Sequence, residues 1–256
     1  MNLINLMNYK IAVITPYYNE PLSILEKCHQ SVLAQDVKAE VTHYFIADGS
    51  PVDELDSWNC SHAKLPNSNN DVGNTPRGIG GILASSDGVD FIAYLDADNW
   101  YKPYHLNSLL SVYGQTDSSI VTSLRTYHSE DGIEMRVRDP DEDSLMHVDT
   151  SCFMLHRSAF KMNSIWHLMP HKLGAIGDRI FLAAIKANRY KFHSSGLRSV
   201  CYRTPYAFHY QAAGQPLPKS AKTWEVHLRP SFEFLHSRDG ISCCVDQLGF
   251  WPATFM

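Results

Sequence analysis

Val89-Asp90-Phe91-Ile92-Ala93-Tyr94-Leu95-Asp96-Ala97-Asp98-Asn99-Trp100 is the stretch whose reading decides the fold. Five consecutive apolar or aromatic residues, 91–95, halt at two carboxylates with only Ala97 between them. A strand buried on both faces reads this way, and its acidic end fits an open sheet edge. In open α/β sheets, ligands bind outside the carboxyl ends of the strands, within reach of such side chains. An extended backbone puts positions 96 and 98 on one side, and the small Ala97 leaves them uncrowded. Two hard oxygen ligands so placed suit Mg²⁺ or Mn²⁺ carrying a diphosphate. An Asp-rich turn after a strand produces the same pattern with no ligand at all.

Upstream, residues 10–15 read as a buried strand that Pro16-Tyr17-Tyr18-Asn19-Glu20-Pro21 breaks before a helix opens, with Pro21 at its first position. Leu22, Leu25, Cys28, Val32 and Leu33 recur at helical spacing to about Gln35. The loop offers Thr15, Tyr17 and Glu20 at a strand end, where a ring can stack on a base and a polar group can meet ribose; loop packing is the other use of the two tyrosines. Residues 41–47 form a second strand ended by Asp48-Gly49-Ser50-Pro51, also a common turn sequence, and 51–72 is mostly polar loop. Residues 74–84 predict a helix with Thr75 as cap and Pro76 as first residue. Gly78, Gly80 and Gly81 lose about 1 kcal/mol each there against alanine, so close approach to a ligand or another backbone is their expected compensation. Arg77 sits near that helix's positive end, facing an anion or solvent. The glycines lie inside the helix, which is not the spacing of a dinucleotide fingerprint.

Downstream, 103–115 reads as a helix, 120–127 and 133–137 as a hairpin around Glu130-Asp131-Gly132, and 139–143 as an acidic loop. A short strand at 152–155, preceded by His147 and Asp149 and followed by a helix from about Arg157, has the position of an acceptor-side wall. Gly177-Asp178-Arg179 opens an apolar helix, so Asp178 is either its cap or a general base facing the crevice; Gly174 and Gly177 suggest a loop able to move. Two strands are expected at 191–193 and 200–203, then an aromatic run, 205–211. There His209 is a packing residue or completes a carboxylate metal site, in which case imidazole favours Mn²⁺ over Mg²⁺. The remainder fits a lid or a capping segment.

A chain of 256 residues with 44% hydrophobic and 19% charged residues is expected to fold as one domain, 1–256. The net charge of -5 and the absence of a basic cluster argue against nucleic acid or anionic membrane as partner. Six cysteines without C-x-x-C spacing suit a reduced, cytoplasmic setting. The N-terminus lacks the layout of a signal peptide, and no apolar stretch approaches the ~18 to 20 residues of an integral membrane segment.

Val13-Ile14-Thr15-Pro16-Tyr17-Tyr18-Asn19-Glu20, Ser31-Val32-Leu33-Ala34-Gln35, Ile46-Ala47-Asp48-Gly49-Ser50 and Tyr94-Leu95-Asp96-Ala97-Asp98, in that order and spacing, resemble family 2 glycosyltransferases over roughly residues 9–210. The resemblance implies an α/β GT-A fold, a Rossmann-like, mostly parallel sheet flanked by helices with a smaller acceptor-side β-ribbon. It implies a nucleotide-binding half at about 9–115, an acceptor half at about 116–210, and a lid or cap beyond. By the same likeness Thr15, Pro16, Tyr17, Glu20, Asp48 and Arg77 line the base and ribose site, with Asp96 and Ala97 beside them. Asp98, Asp96 and His209 hold Mn²⁺ or Mg²⁺ through an Asp-x-Asp motif, and Asp178 is the base. The partners implied are a nucleotide-diphosphate sugar, with UDP the expected nucleotide, and a hydroxyl-bearing acceptor. Pro76-Arg77-Gly78 stands where the family often has Ala-Arg-Asn, and Gly177 where an acidic residue often precedes the base. The Gln-x-x-Arg-Trp motif and membrane helices of processive synthases are absent, which favours single-sugar transfer with inversion. A sugar-nucleotide-forming nucleotidyltransferase would want a basic, Gly-rich loop after the first strand, and 16–21 has neither Lys nor Gly. A catalytically inactive nucleotide-binding module is the remaining alternative.

Overall fold

The computed structural model describes residues 8–256; the amino-terminal segment on which the signal-peptide expectation rests lies outside them. In chain order the strands are β1 (Tyr9–Tyr17), β2 (Ala39–Asp48), β3 (Ser61–Leu65), β4 (Phe91–Tyr94), β5 (Trp100–Tyr101), β6 (Ile120–His128), β7 (Glu134–Met135), β8 (Phe153–His156) and β9 (Phe192–Arg203). The helices are α1 (Leu22–Leu33), α2 (Asn74–Ser86), α3 (His105–Thr116), α4 (Pro140–Asp143), α5 (Ser164–Leu168), α6 (Gly177–Ala187), α7 (Ala207–Ala212), α8 (Trp224–His227), α9 (Arg229–His236) and α10 (Arg238–Leu248). One sheet runs β3-β2-β1-β4-β8-β6-β9-β5, with β7 beside β6. Parallel pairing joins β3, β2, β1 and β4, and only β8 breaks the direction between β4 and β6. The chain steps outward from β1 to β3 and then returns to β4, so the strand order reverses between β1 and β4. That reversal opens the crevice at their carboxyl ends.

β1 runs two residues beyond its expected end, through Pro16, and the ladder explains why. Lys10 and Ile14 accept from Asp90 and Leu95 with their carbonyls, so even-numbered residues of β1 face β4. Because β4 stops at Tyr94, the missing N–H of Pro16 points where no partner strand exists. Inside α2 a Cβ at Gly80 would come 2.5 Å from Ile14 Cγ2, one at Gly81 2.7 Å from Asn163, and one at Gly78 3.0 Å from His167. These glycines therefore let α2 lie directly on the sheet and the 163–167 segment; their compensation is packing, not a ligand. Thr75 is not the cap of α2. The cap position is Gly73, with φ +78°, and Asp71 Oδ2 accepts from the Thr75 N–H at 2.7 Å.

Three further expectations change. The two strands expected at 191–193 and 200–203 are one, β9, whose pairing with β6 shifts register on either side of Leu124 and so absorbs the Ser-Ser-Gly stretch that looked like a break. The 139–143 loop contains the short helix α4, capped by Asp139. Gly174 and Gly177 serve close packing: Cβ atoms there would stand 3.1 Å from the Asp71 carbonyl and 3.2 Å from Asn74 Oδ1. Among the described residues all six cysteines are free, and no helix is long and apolar enough to cross a membrane.

Candidate active site

A cleft of about 880 Å³ opens at the carboxyl ends of β1, β2 and β4 and extends to α6, α7 and the C-terminal helices. Of the eleven residues singled out from sequence, it is lined by Pro16, Tyr17, Glu20, Asp48, Arg77, Asp96, Ala97, Asp98, Asp178 and His209. Thr15 is the exception. Its side chain is fully buried beneath α1, where Oγ1 lies 2.8 Å from His43 Nε2, and it does not line the cleft.

The acidic pair is shaped by a turn, not by strand alternation. The Asn99 N–H donates to the Asp96 carbonyl at 3.0 Å, and Ser151 Oγ accepts from the Asp96 N–H and from Asn99 Nδ2. Asn99 Oδ1 in turn accepts from the Arg203 N–H, tying the turn to the end of β9. The two carboxylates consequently have different surroundings. Asp96 Oδ1 takes a hydrogen bond from Arg77 at 2.7 Å, whereas Asp98 has neither a hydrogen bond nor an ion pair among the described residues. Burial, then the neighbouring charges of Asp96 and Glu20, push Asp98 up to about 7. Arg77 is buried, also donates to Asn74 Oδ1, and lies 4.7 Å over the Trp166 ring, so it is not a solvated cation.

The remaining nucleotide-side residues are fixed by local bonds. Tyr17 stacks on His62 with its hydroxyl 2.7 Å from Nε2, and it accepts from the Val52 N–H. Glu20 accepts from the Tyr18 N–H, closing the loop after β1. Asp48 accepts from both the backbone and the side-chain amide of Asn69, and so orders the loop that walls the cleft.

Asp178 lies inside the first turn of α6 and does not cap it. Oδ1 accepts from the Arg179 N–H at 2.7 Å, and Oδ2 lies 2.6 Å from His147 Nε2. Burial works to raise its pKa, but the facing His147 and Arg179 outweigh it and hold the carboxyl at about 2. His147 Nδ1 lies 3.4 Å from Arg125 Nη2, and an arginine can only donate, so His147 presents its Nε2 proton to Asp178. Arg125 is itself buried, paired with Asp149, Asp139 and Glu142 and stacked over Tyr202. Sequence reading noted His147 and Asp149 only by position and missed Arg125. The acidic run 139–149 beside one strand arginine was the available signal.

His209 Nδ1 lies 2.6 Å from Thr204 Oγ1, Nε2 has no hydrogen bond among the described residues, and burial holds its pKa down to about 3. Among the described residues no three His, Cys, Asp or Glu side chains stand together as a ready-made metal cage. The donor set nonetheless fits a divalent cation that a bound diphosphate helps to hold, because Asp98 is an unpartnered carboxylate next to two others. Mg²⁺ and Mn²⁺ commonly bind through one or two carboxylates plus substrate phosphate oxygens.

Residues 12–173, more than half of the chain, match Glycosyl transferase family 2. The chain belongs to this family. No curated protein matches it. Solved structures of S. aureus TarS share this fold, at TM-score 0.61 and 16% identity over 93% of this chain and 43% of that one. TarS 1–349 in complex with UDP superposes at TM-score 0.60 with 16% identity, covering 93% and 70%, and its complex with UDP-GlcNAc at 0.62 with 16%, covering 93% and 71%. At these identities the likeness is one of fold, the GT-A fold.

Proposed function

We propose that this family 2 glycosyltransferase moves a sugar from a nucleoside diphosphate sugar, a UDP-sugar by analogy with the TarS complexes, to an acceptor hydroxyl with inversion and without processivity. The observation that carries the reading is the unpartnered carboxylate of Asp98 in the same cleft as Asp178. Tyr17, Glu20, Asp48 and Arg77 form the nucleotide wall contributed by the 9–115 half, while Asp178 belongs to the 116–210 half.

Asp98, with the free Nε2 of His209, would hold Mn²⁺ or Mg²⁺ against the donor's diphosphate. Such a cation offsets charge developing on the leaving group. Asp96 is engaged by Arg77 and would act on the ribose side, fixing the turn that presents Asp98. Asp178, held ionised, accepts the acceptor's proton as the oxygen attacks the anomeric carbon from the face opposite the leaving diphosphate. His147 keeps one carboxylate oxygen pinned, which sets the direction of the other.

The test is a donor screen read by NMR of the anomeric product. Wild-type protein with its acceptor should give an inverted linkage, and Asp178→Ala should lower kcat about 10²- to 10⁴-fold while UDP affinity is kept. Full turnover in Asp178→Ala would remove the base assignment. A nucleotidyltransferase would instead release pyrophosphate from a nucleoside triphosphate.

A further inference from the structure

The far side of the cleft is aromatic. Tyr206 and Phe208 stack at 5.4 Å with 21° between their planes, and Trp224 and Phe232 at 6.4 Å with 22°. All four line the cleft, and Phe208 and Trp224 remain 39% and 43% exposed. The two pairs come from segments separated by a turn-rich stretch, and the backbone fastens those segments together. Lys222 N–H donates to the Pro205 carbonyl at 2.7 Å and Ala207 N–H to the Lys222 carbonyl at 2.9 Å. An exposed Trp and Phe in a cleft are costly to leave in water, unless a flat apolar surface covers them.

Position narrows what that surface is. Tyr206 and Phe208, at the start of α7, line the same cleft as Asp178 at the start of α6. The wall therefore flanks the group that takes the acceptor's proton. Lys222, Arg179 and Asp178 line the same cleft, so it offers charged hydrogen-bonding groups as well as ring faces. A lipid chain would leave those groups unpaired, and a small anion would leave the rings uncovered. A pyranose ring satisfies both, its C–H face lying on the negative face of an aromatic ring and its hydroxyls reaching the polar groups.

We infer that Tyr206, Phe208, Trp224 and Phe232 form the acceptor subsite and that the acceptor presents a pyranose ring to them. This rests on the glycosyltransferase reading, but its test does not. Saturation-transfer NMR on the whole chain would compare methyl pyranosides of glucose, galactose and N-acetylglucosamine with glucitol, an open-chain polyol without a ring face. UDP binding is titrated in parallel. At least one pyranoside should bind and glucitol should not. Trp224→Ala and Phe208→Ala should weaken that binding about five- to tenfold each, Trp224→Phe should restore it, and UDP affinity should stay within about twofold. Both side chains are exposed, so their truncation leaves the core intact, and circular dichroism verifies it. No pyranoside binding, equal binding of glucitol, or indifference to both alanine variants overturns the subsite. Pyranoside binding without UDP binding supports the subsite and counts against the donor reading alone; the reverse result does the opposite.

Discussion

Asp178 is a carboxylate kept ionised by its neighbours, and that state has a kinetic signature. With its pKa held at about 2, wild-type turnover should show no acid limb from this group above pH 4. Removing His147 takes away the main opposing influence and leaves burial, which raises the pKa. The kcat/KM profile of His147→Ala should therefore gain an acid limb at or above the ordinary carboxylate range, near pH 4 to 5. An unchanged profile would mean that His147 does not tune the base. Residues such as Asp98 and Asp178 were legible because each marks the end or start of a periodic element. Arg125 was not, because its partners come from the turn before α4, from α4 itself and from the lead into β8, and sequence spacing does not show that these converge. Thr15 sits in the same motif as Tyr17, yet one pleat deeper it meets His43 of β2 and Cys28 of α1. Its burial depends on contacts that the motif alone does not encode.

At the scale of elements, α2 carries the most specific packing. Gly80 brings the helix close to β1 and β2, Gly78 and Gly81 bring it close to the 163–167 segment, and Arg77 on the same helix reaches Asp96. Gly80→Ala should destabilise the fold by about 1–3 kcal/mol through overpacking against Ile14, despite alanine's better helix propensity. Ile82→Ala, on the exposed face of the same helix, should stay within about 0.5 kcal/mol. Urea unfolding of the two variants reads the difference, and a stabilised Gly80→Ala would show that α2 can lift from the sheet without cost. The unusual glycine content was visible in sequence, but its cause was not. A ligand and a neighbouring element demand the same missing Cβ, and only the register of α2 on the sheet separates them. At Gly177, where a mobile loop was expected, the missing Cβ makes room for Asn74.

Across the whole molecule, His43, His105 and His209 are buried and neutral, each with its pKa lowered by burial. Below about pH 6.5 the unfolded chain binds protons at these positions that the folded chain refuses, so stability is full above that pH and falls as acid is added. By pH 5.5 the three should together lower stability by on the order of a few kcal/mol. Urea titrations at pH 7.5 and 5.5 measure it, and equal stability at both would contradict the burial of these rings. The order of β1, β2 and β4 was legible because parallel strands buried on both faces make continuous apolar runs. The antiparallel insertion of β8 and the long bulged β9 were not, since short or interrupted strands owe their pairing to partners far along the chain. Donor binding converges on Asp98, which, unlike Asp48 and Asp96, has no partner among the described residues. Calorimetric titration of UDP into wild-type protein and Asp98→Ala, with Mn²⁺, with Mg²⁺ and with chelator, tests it most directly. Binding should need the cation and weaken at least about tenfold in the variant. Binding of equal strength in chelator and in Asp98→Ala, or no binding under any condition, would contradict it.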